Sequence, residues 1–276
     1  MTKILGLSLL ISFIAHTAYS QFYYNDLVMS NDIGKKRAIY QTNKIRSVKM
    51  TSFDGNNQPI EGFGGSQEIA TNFASITTET STSLSGKDEI THSFNEKGQL
   101  TQSIDTTDGN KVIVQYTYDA NNLVTSITTM SFSPGGYSTR EQHLWFYKAG
   151  KPEKMLKIKN TTDTTVVTFK LDEKENVGEE RAVHAGTEQP MVYYYYDDKS
   201  RLTDVVRYNS RVKRLLPDYI FEYNEAGSVA MMLVTTAGGA DYQKWYYKYD
   251  EKGLKQKDEC YAKNKMLIGK IEYQYQ

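Results

Sequence analysis

A short unit recurs along most of this chain, and it limits the fold more than any other feature. The unit is an aromatic residue, any residue, an aromatic or apolar residue, and then most often Asp or Asn. It appears as His92-Ser93-Phe94-Asn95, Tyr116-Thr117-Tyr118-Asp119, Trp145-Phe146-Tyr147-Lys148 and Phe169-Lys170-Leu171-Asp172. It returns as Tyr194-Tyr195-Tyr196-Asp197, Phe221-Glu222-Tyr223-Asn224, Tyr247-Lys248-Tyr249-Asp250 and finally Tyr273-Gln274-Tyr275. The spacing is about 26 residues, inside the range of repeat architectures.

Each part of the unit has a physical reading. Residues two apart point to the same face of a strand. The following Asp or Asn accepts a bond from backbone two residues on and starts a turn. Gly98, Gly227 and Gly253 stand four residues past their anchors, where a closing loop needs positive φ. Apolar Leu100, Leu123, Leu202, Val229 and Leu254 then resume the alternation. Two strands and two short loops account for the period, so each repeat is a β-hairpin. The expectation is an all-β chain whose tandem hairpins form one large, open, twisted antiparallel meander of about 14 strands. Its last strand, Gly269–Gln276, would be an exposed edge through which a dimer could form.

The anchors Phe94, Tyr116, Tyr118, Trp145, Tyr147, Tyr194 and Tyr196 should share one buried face with Phe221, Tyr223, Tyr247, Tyr249, Tyr273 and Tyr275. Residues between them face the other way and are mostly polar, as at Thr117, Lys170, Glu222, Lys248 and Gln274. Phe146, Tyr193, Tyr195 and Tyr246 break that rule. They form a candidate ligand patch, suited to a glycan or an extended peptide, although a lone tyrosine on a strand surface is ordinary.

The N-terminal part differs. Lys3, an apolar run from Ile4 to Ala15 and the small residues Ala18-Tyr19-Ser20 have the form of a secretory signal peptide. The run is too short to span a bilayer, which needs about 20 residues. Cleavage after Ser20 is expected, with no cysteine there to take a lipid anchor. Residues 1–20 are therefore assigned to the signal, 21–90 to an N-terminal cap, and 91–276 to the hairpin repeats, continuous with the cap. Within the cap, the pattern predicts a short helix over Ser30–Lys44 with Ser30 or Asn31 as N-cap, and a strand over Ile45–Phe53. A turn at Asp54-Gly55-Asn56-Asn57 follows, then a Thr-rich segment from Ala70 to Ser85 that reads as either a strand or an exposed ribbon.

The unit Tyr-x-Tyr-Asp followed by Leu, clearest at Tyr116–Leu123 and Tyr194–Leu202, resembles the YD repeats of the Rhs family. The chain also resembles a group of secreted proteins of the Bacteroidota, through Gln21-Phe22-Tyr23-Tyr24, Ser93–Leu100, Arg201–Tyr208 and Leu215–Asn224. In Rhs proteins the repeats build a large β-shell around a toxic C-terminal domain. This chain is expected to be too short for such a shell and ends on an anchor strand, so no toxin role is carried over.

Little points to chemistry. His92, His143 and His184 lie far apart, with no partner at metal-ligand spacing. Neither a nucleophile elbow nor a phosphate-cradling loop occurs. Cys260 stands without a neighbouring His and reads as a strand residue. Carboxylate pairs such as Asp197-Asp198 and Glu179-Glu180 read first as turn formers. No catalytic, cofactor-binding or metal residue is assigned. The charge is balanced, at 33 basic against 33 acidic residues, which argues against nucleic acid as partner. The mature chain is not expected to insert in a membrane. Two functions remain: a secreted or periplasmic, non-enzymatic binding or scaffold protein contacting a glycan or an envelope protein, or a secreted glycosidase-like hydrolase with carboxylates from several repeats.

Overall fold

A computed structural model describes residues 22–82, 86–210, 212–235 and 241–276. The expected signal segment and its cleavage site lie outside the described residues. One helix, α1 (Asn25–Thr42), precedes the strands β1 (Ser47–Asp54), β2 (Gly64–Ile69), β3 (Ser75–Thr82), β4 (Gly86–Phe94), β5 (Leu100–Thr107) and β6 (Asn110–Tyr118). There follow β7 (Val124–Phe132), β8 (Ser138–Lys148), β9 (Lys151–Lys159), β10 (Asp163–Leu171), β11 (Val177–His184), β12 (Thr187–Glu188) and β13 (Val192–Tyr196). The chain finishes with β14 (Leu202–Asn209), β15 (Arg214–Tyr223), β16 (Val229–Thr235), β17 (Tyr242–Tyr249), β18 (Lys255–Ala262) and β19 (Leu267–Tyr275).

The hairpins are as the repeat requires, and their connection is antiparallel throughout. The open meander is not what they form. β1 pairs with β19, from Val48 opposite Tyr275 to Asp54 opposite Gly269, and with β2 on its other edge. The sheet thus closes into a barrel of 18 strands, with the two-residue β12 beside β11 just ahead of β13. The physical reason is twist. A strongly twisted sheet of this many strands curls, and pairing its two ends removes both exposed edges. The strand β19, expected as a free edge, is covered on both sides, so the route to an edge dimer is gone. The segment expected to cap the array holds α1 and three strands of the ring itself.

The repeat loop has one design. Asp119 Oδ1 accepts from the N–H of Asn121 and Leu123, at 2.9 and 2.8 Å. Asp172, Asp197 and Asp250 do the same in their loops. The fourth loop residue takes positive φ, as Gly98 and Gly253 do, but Asn122 and Ser200 also adopt it. Asp54 makes the same two bonds, to Asn56 and Gln58, so the first hairpin of the ring is a degenerate copy of the unit.

At the anchors from Phe94 to Tyr249 the strand register slips by one residue, for example between Thr117 and Tyr118 and between Glu222 and Tyr223, whereas Tyr275 pairs with Val48 of β1 without a slip. The bulge turns the anchor side chain inward and back along the sheet. Its hydroxyl then donates to a backbone carbonyl of the previous hairpin. Tyr118 reaches Leu100, Tyr147 reaches Val124 and Tyr196 reaches Val177, at 2.7 to 2.9 Å. Tyr223 reaches Leu202, Tyr249 reaches Val229 and Tyr275 reaches Lys255, at 2.6 to 3.0 Å. Phe94 and Leu171, which lack a hydroxyl, occupy the same position as apolar anchors.

Two expected outcomes follow from this wall. Tyr223→Phe should cost about 1 kcal/mol, the net worth of one hydrogen bond, and Tyr223→Ala about 3 to 5 kcal/mol. Glu222→Ala, on the outward face, should cost little; urea melts compare the three, and equal shifts would contradict the ladder. Ending the chain after Asn224 removes four strands from the ring, so circular dichroism should show loss of β-structure well beyond the deleted part.

Candidate functional site

The helix α1 lies across the ring. Its first turn meets β8, β11 and β13, while its last turn meets β2 and β19 on the opposite side. It starts at Asn25 rather than at the expected Ser30 or Asn31. The reason is tertiary. Glu180 on β11 accepts the backbone N–H of Tyr23 at 3.1 Å and of Tyr24 at 2.9 Å, and also the Tyr194 hydroxyl at 2.7 Å. A carboxylate at a helix N-terminus satisfies orphan donors and suits the helix dipole. Burial raises the Glu180 carboxyl above its ordinary range, and those three donors pull against that rise. Ser30, the expected cap, is buried inside the helix with its hydroxyl on the Leu27 carbonyl at 3.1 Å.

Beside Glu180 stands an ion network. His143 Nδ1 lies 2.5 Å from Asp26 of α1, and its Nε2 lies 3.0 Å from Glu141. Lys157 of β9 completes it, 3.1 Å from Glu141. Tyr23 covers the imidazole edge-on at 5.7 Å. Burial opposes the charge on His143, but Asp26 and Glu141 override it and hold the imidazolium up at about 9. Burial opposes Glu141 too, and His143 with Lys157 draws it down to about 2. The far end of α1 is tied by Arg37 Nε to the Phe73 carbonyl at 2.8 Å and by Tyr40 Oη to Gln67 at 2.7 Å.

Between α1 and the loops of β4–β9 runs a groove of about 470 Å³. Leu27, Leu100, Val124 and the rings of Tyr24, Tyr118 and Tyr147 line it, with Asn31, Lys35 and Lys97 among its polar residues. Its tyrosine hydroxyls at 118 and 147 are already spent on backbone carbonyls, so hydrogen bonding to a guest falls to the polar residues.

The residues singled out from sequence are placed as follows. Trp145, Tyr194, Phe94 and their fellow anchors point inward: Tyr116 packs on both larger core clusters, and Tyr247 and Phe221 on the smaller one. Phe146, Tyr193, Tyr195 and Tyr246 point outward but form no single patch, since only Tyr193 and Tyr195, two residues apart on β13, are neighbours. They sit on β8, β13 and β17, separated by intervening strands. At about 4.8 Å per strand, Phe146 and Tyr246 each stand roughly 19 Å from the two β13 tyrosines along the wall. Phe146 lies under the Lys154 ammonium at 4.9 Å, and Tyr246 meets Tyr261 edge-on at 5.7 Å. The three histidines stay apart, on β4, β8 and β11. Among the described residues no group of three or more His, Cys, Asp or Glu is placed to hold a metal. Cys260 faces inward, 1% exposed, and burial pushes its thiol up to about 12. Sequence reading missed Asp26, Glu141 and Lys157, and it took Glu180 for a turn former, whereas Glu180 is buried within strand β11. Their only signal was polarity on the inward face, visible once strand register is known.

The comparisons agree with the repeat. Residues 94–138 match the family profile described as RHS Repeat, and the chain is a YD-repeat-like all-β protein. A porin-like protein from Bacteroides uniformis is similar at 10% identity and a TM-score of 0.40, over 84% of this chain and 98% of that chain. One from Bacteroides vulgatus gives 8% identity and 0.26, over the same shares. The Photorhabdus luminescens Tc holotoxin pore gives 11% identity and 0.34, over 77% of this chain and 12% of that chain. No curated protein matches the sequence.

The ion network sets an expected pH response. The His143 value lies above the ordinary 6.5, so its contribution is complete below that pH and is lost as pH rises through about 9. Thermal melts from pH 6 to pH 10 should show this decline, and His143→Gln should flatten it. Asp26→Ala leaves a buried cation one partner short and should cost about 3 kcal/mol.

Proposed function

We propose that this chain is an exported, non-enzymatic binding protein of the cell envelope, with the barrel as scaffold and the groove beside α1 as contact site. The observation that carries this reading is the commitment of the interior acids and bases near α1. Asp26, His143, Glu141 and Lys157 satisfy one another, and Glu180 accepts three donors. A general acid or base needs reach to a substrate proton, and a hydrolytic carboxylate pair needs open space between its members. The ring of His143 fills the space between Asp26 and Glu141.

The outward face supports a barrel that stays in water. Lys257, Glu259, Lys270 and Glu272 stand there, paired as Lys257–Glu259 and Lys270–Glu272 at 2.7 Å each. A membrane barrel carries an apolar band at that level. The signal-like N-terminus supports export, to the periplasm or beyond. Aromatic walls with amides and lysines beside them suit a glycan or an extended peptide from an envelope protein.

The test is a screen of the chain from Gln21 against glycan arrays and envelope proteins, with chromogenic glycosides run in parallel. Retention of a ligand without turnover is expected, weakened by Lys97→Glu at the groove. Glycoside turnover that disappears in Glu141→Gln would instead establish the hydrolase.

A further inference from the structure

Consecutive strands of the ring are antiparallel, so the loops between them alternate between its two ends. The repeat loops share one end, and their tips are polar, as at Glu96-Lys97, Asn121-Asn122, Glu173-Lys174 and Asp198-Lys199. Among the described residues, no exposed large apolar side chain sits in a repeat loop. The opposite end differs. Phe132 and Tyr137 are exposed at the β7–β8 tip, Tyr208, Val212 and Leu215 at the β14–β15 tip, and Met266 at the β18–β19 tip. Tyr137 is 68% exposed and Met266 62%. Tyr208 stands directly across the strand pair from Leu215, so that tip presents a cluster rather than single residues.

Charge on these three tips has one sign. Arg140 flanks the first, Lys213 and Arg214 the second, and Lys263 and Lys265 the third, all of them exposed. Residues 120–140, 205–217 and 260–271 contain no Asp or Glu. Asp108 and Asp163 stand at other tips of the same rim, with two and three residues between their strands against four or five here. The even charge of the whole chain hides this local excess. At about 4.8 Å per strand, the tips lie about 20 to 30 Å from one another along the wall. No small molecule reaches two of them, but a broad, flat surface meets all three.

We infer that this rim seats on a lipid bilayer surface that carries anionic phospholipid. Tyr137, Tyr208 and Met266 enter the headgroup region, which favours an amphipathic ring and accepts a flexible thioether. The flanking lysines and arginines meet the lipid phosphates. The wall behind the tips stays in water, because the Lys257–Glu259 and Lys270–Glu272 ion pairs lie on it, so the contact is peripheral. The groove beside α1 is lined by repeat-loop residues such as Lys97, Asn122 and Gly150, and therefore lies at the end turned away from the bilayer. The rim contact does not depend on what that groove binds, and its fate does not decide the reading given above.

Vesicle flotation tests it. The chain from Gln21 should float with vesicles of phosphatidylcholine and phosphatidylglycerol, far less with phosphatidylcholine alone, and should release as salt rises. Lys213→Gln and Lys265→Gln should each weaken binding about fivefold, and Tyr137→Ser should weaken it as well. Lys199→Gln, on the polar rim, should leave it unchanged. All four side chains are exposed, so circular dichroism should match the unaltered chain. In Tyr137→Trp, phospholipid brominated in its acyl chains should quench the added indole, and in Lys199→Trp it should not. Absence of flotation with the anionic vesicles, equal weakening by Lys199→Gln, or equal quenching at both positions would each overturn the proposal. So would full displacement by soluble glycerol phosphate, which would mark a free-anion site. Retention of an envelope protein through Tyr137 and Lys213 without vesicle binding would overturn it in favour of a protein partner.

Discussion

The barrel depends on a hydroxyl that reaches backward. In six hairpins a tyrosine donates to the backbone carbonyl of the hairpin before it. Strand pairing alone fixes neighbours, but a sheet held only by its ladder can slide in register. The tyrosine bond crosses from one repeat to the previous one at a defined residue, just past the loop. It couples the aromatic anchor, the bulge that aims it and the Asx loop that ends the strand. The slip accompanies the bond in five of the six hairpins, and Tyr275 makes the same bond without one.

One face of α1 packs against the ring and buries Ser30, Arg37 and Tyr40, while Asn31, Asp32, Lys35, Ala38 and Gln41 stay exposed. The helix is polar on much of its surface, and two of its side chains that reach the wall, Asp26 and Arg37, bring charge with them. The wall answers with His143, Glu180 and backbone carbonyls. Such a helix is held by direction and charge more than by apolar area, and its two ends pack on separate core clusters. Polar contacts of this kind specify one seating, because any shift leaves buried charges unpaired.

Much of this was legible in the residues. The hairpin period, the inward aromatics and the Asp-led turns are local, and local chemistry is written in consecutive positions. The start of α1 was not legible, because its cap is Glu180, far away in the chain. Closure was not legible either. β1 carries Phe53-Asp54 with the repeat loop behind it, but no aromatic two residues earlier, so the unit was hidden by a single substitution at Thr51. Alternation along a strand says nothing of the distance between strands, and that distance keeps Phe146, Tyr195 and Tyr246 apart.

The pairing of β1 with β19 also sets the order in which this molecule can form. Those strands come from opposite ends of the described chain, and bringing them together carries the largest loop-closure cost of any pair in the ring. Hairpins can zip one after another as they are made, each adding to its predecessor. The curved ribbon that results has two raw edges until the final strand arrives. Until then β1 and the newest strand are both open to pairing with other chains, and crowded unfinished copies can exchange strands there. The seam is thus the last step of assembly and the point at which a slow or interrupted synthesis would do most harm.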